Sequence, residues 1–199
     1  MFGFLRPVPS PAPALPLEGP RVYLRAPRAS DQQAWAELRG ASRAFLEPWE
    51  PKWPADALSR AAFRRRLRRQ ARDARENTGY SFFIFRRADD ALLGGVTLSN
   101  LQRGISMSCS LGYWIGVPYA RQGLMTEALT SLLPFVFETL GLHRLEAACL
   151  PDNAASQGLL RKLGFHEEGY ARGYLRINGQ WQDHLLLAML SGDYFAASR

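Results

Sequence analysis

The chain has 199 residues, 47% of them hydrophobic and 22% charged, a balance that suits one domain with one sizeable core. No apolar run approaches the ~18 residues of a membrane span, and prolines at 7, 9, 11, 13, 16 and 20 break any apolar stretch that would serve as a signal peptide. The net charge of +7 rests almost wholly on arginine and attracts anions: a nucleotide, a nucleic acid or an acidic protein face.

Residues 1–17 read as a flexible, proline-rich arm, followed by a domain over 18–191 and a tail over 192–199. Arg21–Pro27 alternates like a short strand, and Ser30 with Asp31 predicts the start of a helix that runs to the mid-forties. Pro48 and Pro51 make Phe45–Pro51 a loop. A second helix is expected from Asp56 to about Glu76, ended by Asn77-Thr78-Gly79. It carries Arg60, Arg64, Arg65, Arg66, Arg68, Arg69, Arg72 and Arg75, which read either as a solvated helix face or as a contact for RNA or the ribosome.

Strands are expected at Tyr80–Arg87, Ala91–Asn100 and Ile105–Val117. A helix over Leu124–Leu140 follows, with Met125, Ala128, Leu129, Leu132, Leu133 and Val136 in one apolar stripe and an irregularity at Pro134. His143–Leu150 is a buried strand, Asp152-Asn153 caps a short helix ended by Gly164, and two last strands flank the turn Asn178-Gly179. The fold class is therefore α/β (α+β), with a mixed, mostly antiparallel sheet of about seven strands and four helices. Cys109 and Cys149 lie in apolar runs and read as reduced, buried thiols, which fits a cytoplasmic protein; the scattered His143, His166 and His184 fit no metal site.

The junction Tyr119–Leu129 joins a strand to a helix, where unpaired backbone N–H groups at the positive helix end suit a pyrophosphate. Gly123 allows close approach there and Arg121 adds charge, although a plain tight turn would look the same. A second pattern, Pro151–Phe165, follows at a suitable distance. Together these segments resemble the acyl-CoA-binding motifs of the GNAT superfamily of acetyltransferases. The resemblance is closest to its bacterial ribosomal-protein-alanine branch. Supporting stretches are FLEPWEP (45–51), LGYWIG (111–116), GLMTEAL (123–129), HRLEAACL (143–150) and GQWQDH (179–184), and the likeness runs from about residue 18 to 191. Two positions depart from the family's loop pattern. Ala120 stands where Gln or Arg is usual, which makes Arg121 or Gln122 the substitute contact, and Met125 stands at the last position.

The resemblance implies an acetyl-CoA-dependent N-acetyltransferase, with acetyl-CoA as co-substrate, no metal, and direct attack through a tetrahedral intermediate. The acceptor it implies is the N-terminal alanine of a small-subunit ribosomal protein. A small amine such as a polyamine or antibiotic is the alternative acceptor, and a basic ribosome-binding or assembly factor the alternative role. The protein is expected to act as a monomer or weak homodimer. The strands over 106–117 and 143–150 should splay to admit the pantetheine arm. Trp114, Ile115, Gly116, Val117, Arg121, Gln122, Gly123, Leu124, Met125, Thr126, Asn153 and Ser156 are the implied cofactor contacts, with an oxyanion donor among the amides of Trp114–Gly116. Ser156 is the implied general acid for the CoA thiolate; otherwise its hydroxyl bonds a carbonyl one turn back. Asn153 is a helix cap or a pantetheine contact. Many relatives carry Glu near position 110, but here it is Ser110, which leaves Glu50, Tyr174 or a water chain to relay the amine proton; Glu127 is explained by the helix dipole alone. Phe45, Trp49 and Trp53 either wall the acceptor cleft or pack the loop onto the core.

Overall fold

A computed structural model of the protein describes residues 16–197. Residues 1–15, most of the expected arm, lie outside them, as do 198 and 199. One sheet carries eight strands in the order β1-β2-β3-β4-β5-β6-β8-β7. They are β1 (Leu17–Glu18), β2 (Val22–Arg25), β3 (Tyr80–Arg86), β4 (Leu92–Gln102), β5 (Ser108–Ile115), β6 (Arg144–Cys149), β7 (His166–Ile177) and β8 (Gln180–Leu190). Every neighbouring pair is antiparallel except β5 and β6.

Helices cover both faces, so the central strands are apolar on both sides. In β3, Phe82, Phe83, Ile84 and Phe85 are all buried, which is why this strand reads as a continuous run rather than an alternation. On one face α1 (Gln32–Ala41), α2 (Arg43–Leu46) and α3 (Arg60–Arg75) close over Trp35, Leu46, Trp53, Phe63, Phe83 and Trp114. On the other, α4 (Leu124–Pro134) presses Leu124, Met125, Ala128, Leu129, Leu132 and Leu133 onto the sheet, beside Leu160 of α5 (Ala154–Lys162). Gly94 and Gly95 let β4 pass close under β5: a Cβ at 94 would stand 2.3 Å from the Trp114 carbonyl oxygen, and one at 95 would stand 2.7 Å from its indole Nε1.

The structure departs from the sequence reading in short or irregular pieces. Leu17 and Glu18, at the boundary of the expected arm, pair with Leu24 and Tyr23. Ser191–Ala197, assigned to a tail, is helix α6, and its Tyr194 stacks on Phe137 with ring centroids 5.1 Å apart. The first helix stops at Ala41 and restarts at Arg43, because the fully buried Ser42 turns its Oγ to accept the Val117 N–H at 2.9 Å. Asp31 does not cap α1 with its side chain; its carboxylate closes the short 3-10 turn over Ala29–Asp31 that precedes the helix. Asp31 is buried in a bidentate pair with Arg25, at 2.7 and 2.8 Å, and accepts the Arg28 N–H. At Pro134 the α-helix gives way to a π-turn over Phe135–Thr139, closed by the Leu140 N–H to the Phe135 carbonyl. The expected strand 105–117 is shorter at both ends, since Gly104 and Met107 both take positive φ before it starts.

Helix α3 is capped by Ser59, whose side chain accepts the Ala62 N–H, and it buries Phe63. Arg60, Arg64, Arg68 and Arg72 follow one another at four-residue spacing on its outer side. Like charges at that spacing cost roughly 0.2–0.5 kcal/mol per pair. Arg66 is the inward member: burial, with Arg39 and Arg69 nearby, lowers its guanidinium to about 10.

Candidate active site

The single parallel ladder is short. Ser108, Cys109, Ser110 and Leu111 pair with Arg144, Leu145, Glu146 and Ala147, and there the pairing ends. Beyond it β5 continues against β4 alone as far as Ile115, and β6 continues against β8 alone as far as Cys149. A wedge therefore opens between residues 112–115 and 148–149. The Gly116 N–H bonds the Leu93 carbonyl at 2.8 Å. Strand alternation turns Trp114 the same way and leaves the Tyr113 and Ile115 amides on the wedge edge. Of the three amides in the expected oxyanion segment, those of Trp114 and Gly116 thus face β4, and Ile115 alone faces the opening. The Val117 amide is held by Ser42.

At the wide end of the wedge, a 3-10 turn over Val117–Tyr119 leads into α4. Arg121 and Gly123 both take left-handed backbone, with φ of 59° and 76°. No side chain caps the helix, so the amides of Leu124, Met125 and Thr126 start it without intrahelical partners. Their side chains divide differently: Leu124 and Met125 are core, so only their main chain serves a ligand, while Thr126 is half-buried. Gln122 turns its amide back to the Pro118 carbonyl at 2.8 Å. Arg121 is exposed and has no ion pair among the described residues, which makes it the free cation beside Ala120. Arg21, which sequence reasoning missed, reaches the same loop, with Nη2 3.5 Å from where a Gly123 Cβ would sit.

Arg21 is held there by Glu127. The carboxylate accepts from the Arg21 Nε at 2.8 Å, from the Arg21 N–H, and from the Val22 N–H at 3.0 Å. Burial raises the Glu127 carboxyl, but the hydrogen bonds and charge from Arg21 and the Val22 amide outweigh it and hold the group below its ordinary 4.5. A depressed carboxyl stabilises the fold fully above its unfolded value, and that contribution is lost as pH falls through the folded value. The wild-type melting temperature should therefore fall more steeply than that of Glu127→Gln as pH drops from about 5 toward 3. Parallel curves in a pH series of thermal melts would show that this carboxylate does not anchor β2 to α4.

Ser156 lies in the first turn of α5, with its N–H bonded to Asn153 Oδ1 at 3.0 Å, so Asn153 caps the helix. Its Oγ stands 2.7 Å from the hydroxyl of Tyr113 and is also in hydrogen-bonding contact with Cys149. The bond to a carbonyl one turn back is not made. Tyr113 comes from the unpaired end of β5 and Cys149 from the last residue of β6, so the cluster sits at the wedge. Burial pushes the Tyr113 hydroxyl up to about 12, against the lowering effect of Ser156. Sequence reasoning missed Tyr113. The signal was the LGYWIG alternation, which sends Tyr113 and Ile115 to the α4 and α5 face and Trp114 to the other.

The other two candidates lie apart from this pair, and no hydrogen bond among the described residues joins them to it. Glu50 is clamped. Both of its oxygens are engaged by Arg39, one also accepts the Trp53 Nε1–H at 2.8 Å, and its carbonyl accepts the Asn178 N–H from the β7–β8 turn. Arg39 in turn lies over Trp53 and Trp114, 4.3 and 4.9 Å from the ring centroids. Tyr174 is exposed and meets the buried His184 edge-on, with centroids 5.7 Å apart. Of the aromatics in the 45–53 loop, Trp53 packs into the core, whereas Phe45 and Trp49 stay exposed.

The chain as a whole has close relatives among known proteins. Residues 21–166 match the acetyltransferase (GNAT) domain. The [ribosomal protein uS5]-alanine N-acetyltransferase of Escherichia coli is 35% identical over 196 residues, 98% of each chain. Among solved structures, the ribosomal-protein-S5-alanine acetyltransferase of Vibrio fischeri superposes with a TM-score of 0.83 at 29% identity, covering 90% of this chain and 98% of that one. RimJ of Mycobacterium smegmatis, in complex with CoA-disulfide, gives 0.81 at 32% identity over 89% of this chain and 90% of its own. With a split sheet, an uncapped helix at its mouth and a match across most of its length, the chain belongs to the GNAT acetyltransferase family and is an acyltransferase.

Proposed function

We propose that this protein transfers the acetyl group of acetyl-CoA to the α-amino group of an N-terminal alanine on a small-subunit ribosomal protein. The observation that carries the chemistry is the hydroxyl pair Ser156–Tyr113 at the edge of the wedge. The acceptor rests on the end-to-end similarity to the uS5-alanine enzyme of Escherichia coli.

The residues present fit acetyl-CoA. The amides of residues 124–126, without hydrogen-bond partners among the described residues, form with Arg121 and Arg21 an anion cradle suited to a pyrophosphate. The unpaired edges of β5 and β6 offer backbone hydrogen bonds to an extended amide-bearing arm. Acetyl-CoA supplies an activated acyl group, and the chain supplies position and polarity. The Ile115 N–H is the donor available to an acyl oxygen in the wedge. Ser156 Oγ is the proton donor for the departing thiolate. Tyr113 and Ser156 Oγ share a hydrogen bond of 2.7 Å in which either hydroxyl can donate; with the tyrosine as donor, the serine hydrogen is available to the departing thiolate. An α-amino group of pKa about 8 is partly neutral at physiological pH, so deprotonating it needs only modest help. With Glu50 engaged by Arg39, the exposed hydroxyl of Tyr174 and solvent remain to relay that proton to bulk water.

The test is thiol release by the purified chain with acetyl-CoA and a panel of acceptors: an Ala-starting ribosomal peptide, its Nα-blocked form, a polyamine and an aminoglycoside. Release with the free Ala peptide and none with the blocked form is the expected result. Release only with the small amines would discard the ribosomal acceptor.

A further inference from the structure

The outer half of helix α3 is chemically uniform. At about 100° per residue, Arg60, Ala61, Arg64, Arg65, Arg68, Arg69, Ala71, Arg72 and Arg75 fall on one half-turn, and all are exposed. Within the helix no acidic, amide or hydroxyl side chain interrupts that face; Glu76 bounds it at the C-cap. Arg65 pairs with Asp56; the other arginines of the face have no ion pair among the described residues. The first turn has no acidic residue to offset Arg60 at the positive end of the helix dipole. An ordinary solvated helix mixes both signs. This one keeps a positive stripe in which, among the described residues, only Arg65 is paired.

We propose that this face binds the phosphate backbone of RNA. Guanidinium groups spaced about 6 Å along a rigid helix suit a line of phosphates, each of which can accept a forked pair of hydrogen bonds. The alanines at 61 and 71 keep the surface low between them. The face holds no aromatic or larger apolar anchor of the kind a protein partner needs, and no amide or hydroxyl to read base edges. Recognition is therefore by charge and shape. The choice of RNA over DNA rests on the ribosomal acceptor proposed above, whose surroundings are RNA.

The experiment uses the full chain and a fluorescein-labelled RNA duplex of about 20 base pairs, with binding followed by anisotropy across a salt series. The variant is Arg60→Gln, Arg64→Gln, Arg68→Gln and Arg72→Gln together. It should bind at least tenfold more weakly at about 0.1 M salt and lose about 3 from the slope of log K against log salt. Its turnover of the free Ala peptide should equal wild type, which separates this site from the acyl-transfer site and reports a folded protein. The proposal is overturned if wild type does not bind the duplex, or if the variant binds it equally well. It is likewise overturned if poly-glutamate or a DNA duplex competes as well as RNA per unit charge. Failure of the Ala peptide as acceptor, with RNA binding intact, would count against the acceptor assignment and leave the RNA face standing.

Discussion

Ser156→Ala should lower kcat by about 10²-fold and leave KM for acetyl-CoA within about twofold. The loss is expected on kcat because the hydroxyl is proposed to act as the thiolate departs, while the anion cradle proposed at 121–126 is untouched. Tyr113→Phe should cost less, roughly tenfold, because Ser156 keeps its proton and loses only the group that orients it. The double variant should be no slower than Ser156→Ala, since Tyr113 acts through Ser156 at 2.7 Å. Steady-state kinetics on the four proteins decides the matter. A mild Ser156→Ala beside a severe Tyr113→Phe would make the tyrosine the proton donor, and additive losses would mean that the two hydroxyls act separately.

Arg39→Ala should destabilise the protein by about 3 kcal/mol, the scale for breaking a buried ion pair by removing one partner. The side chains of Arg39 and Glu50 are only 9% and 21% exposed, so solvent screens them weakly. The substitution strands the Glu50 carboxylate and empties the space between Trp53 and Trp114. The melting temperature should fall by roughly 6–12 °C. Arg43→Ala, which removes an exposed pair with Glu47, should cost no more than about 1 kcal/mol. Thermal unfolding of both variants provides the comparison. Equal small shifts would show that Arg39 is no more structural than a surface arginine.

Strongly patterned segments were legible in the sequence. The α4 stripe, the aromatic β3, the Asn178-Gly179 hairpin and the Ser59-to-Arg75 helix each announce themselves locally, because periodicity and turn chemistry act over a few residues. The pieces that escaped are those whose local signal is weak: the two-residue β1, the break at Ser42 that separates α1 from α2, and the short α6. The turn into α4 was legible for the same local reason, a glycine at a strand–helix junction, and Gly123 does take positive φ there. The three interactions that organise the site were not. Tyr113 and Ser156 are 43 residues apart, Arg21 and Glu127 are 106 apart, and Arg39 reaches Glu50 across an interrupted helix. Nothing in a linear pattern pairs a tyrosine with a particular distant serine; the splay of β5 from β6 does.

The strand order also bears on how the protein is made. β1 to β5 form a simple meander in which every neighbour is the next strand in sequence, complete once Ile115 is available. The other half is not sequential, because β8 lies between β6 and β7. While β8 is missing, β7 has no neighbour and β6 hangs on a four-residue parallel ladder, a slow and weak arrangement to form alone. During synthesis from the N-terminus, the first half of the sheet can fold while the second waits for β8, which ends at Leu190. The wedge borders both halves, so a nascent chain does not complete it until β8 has joined β6 and β7.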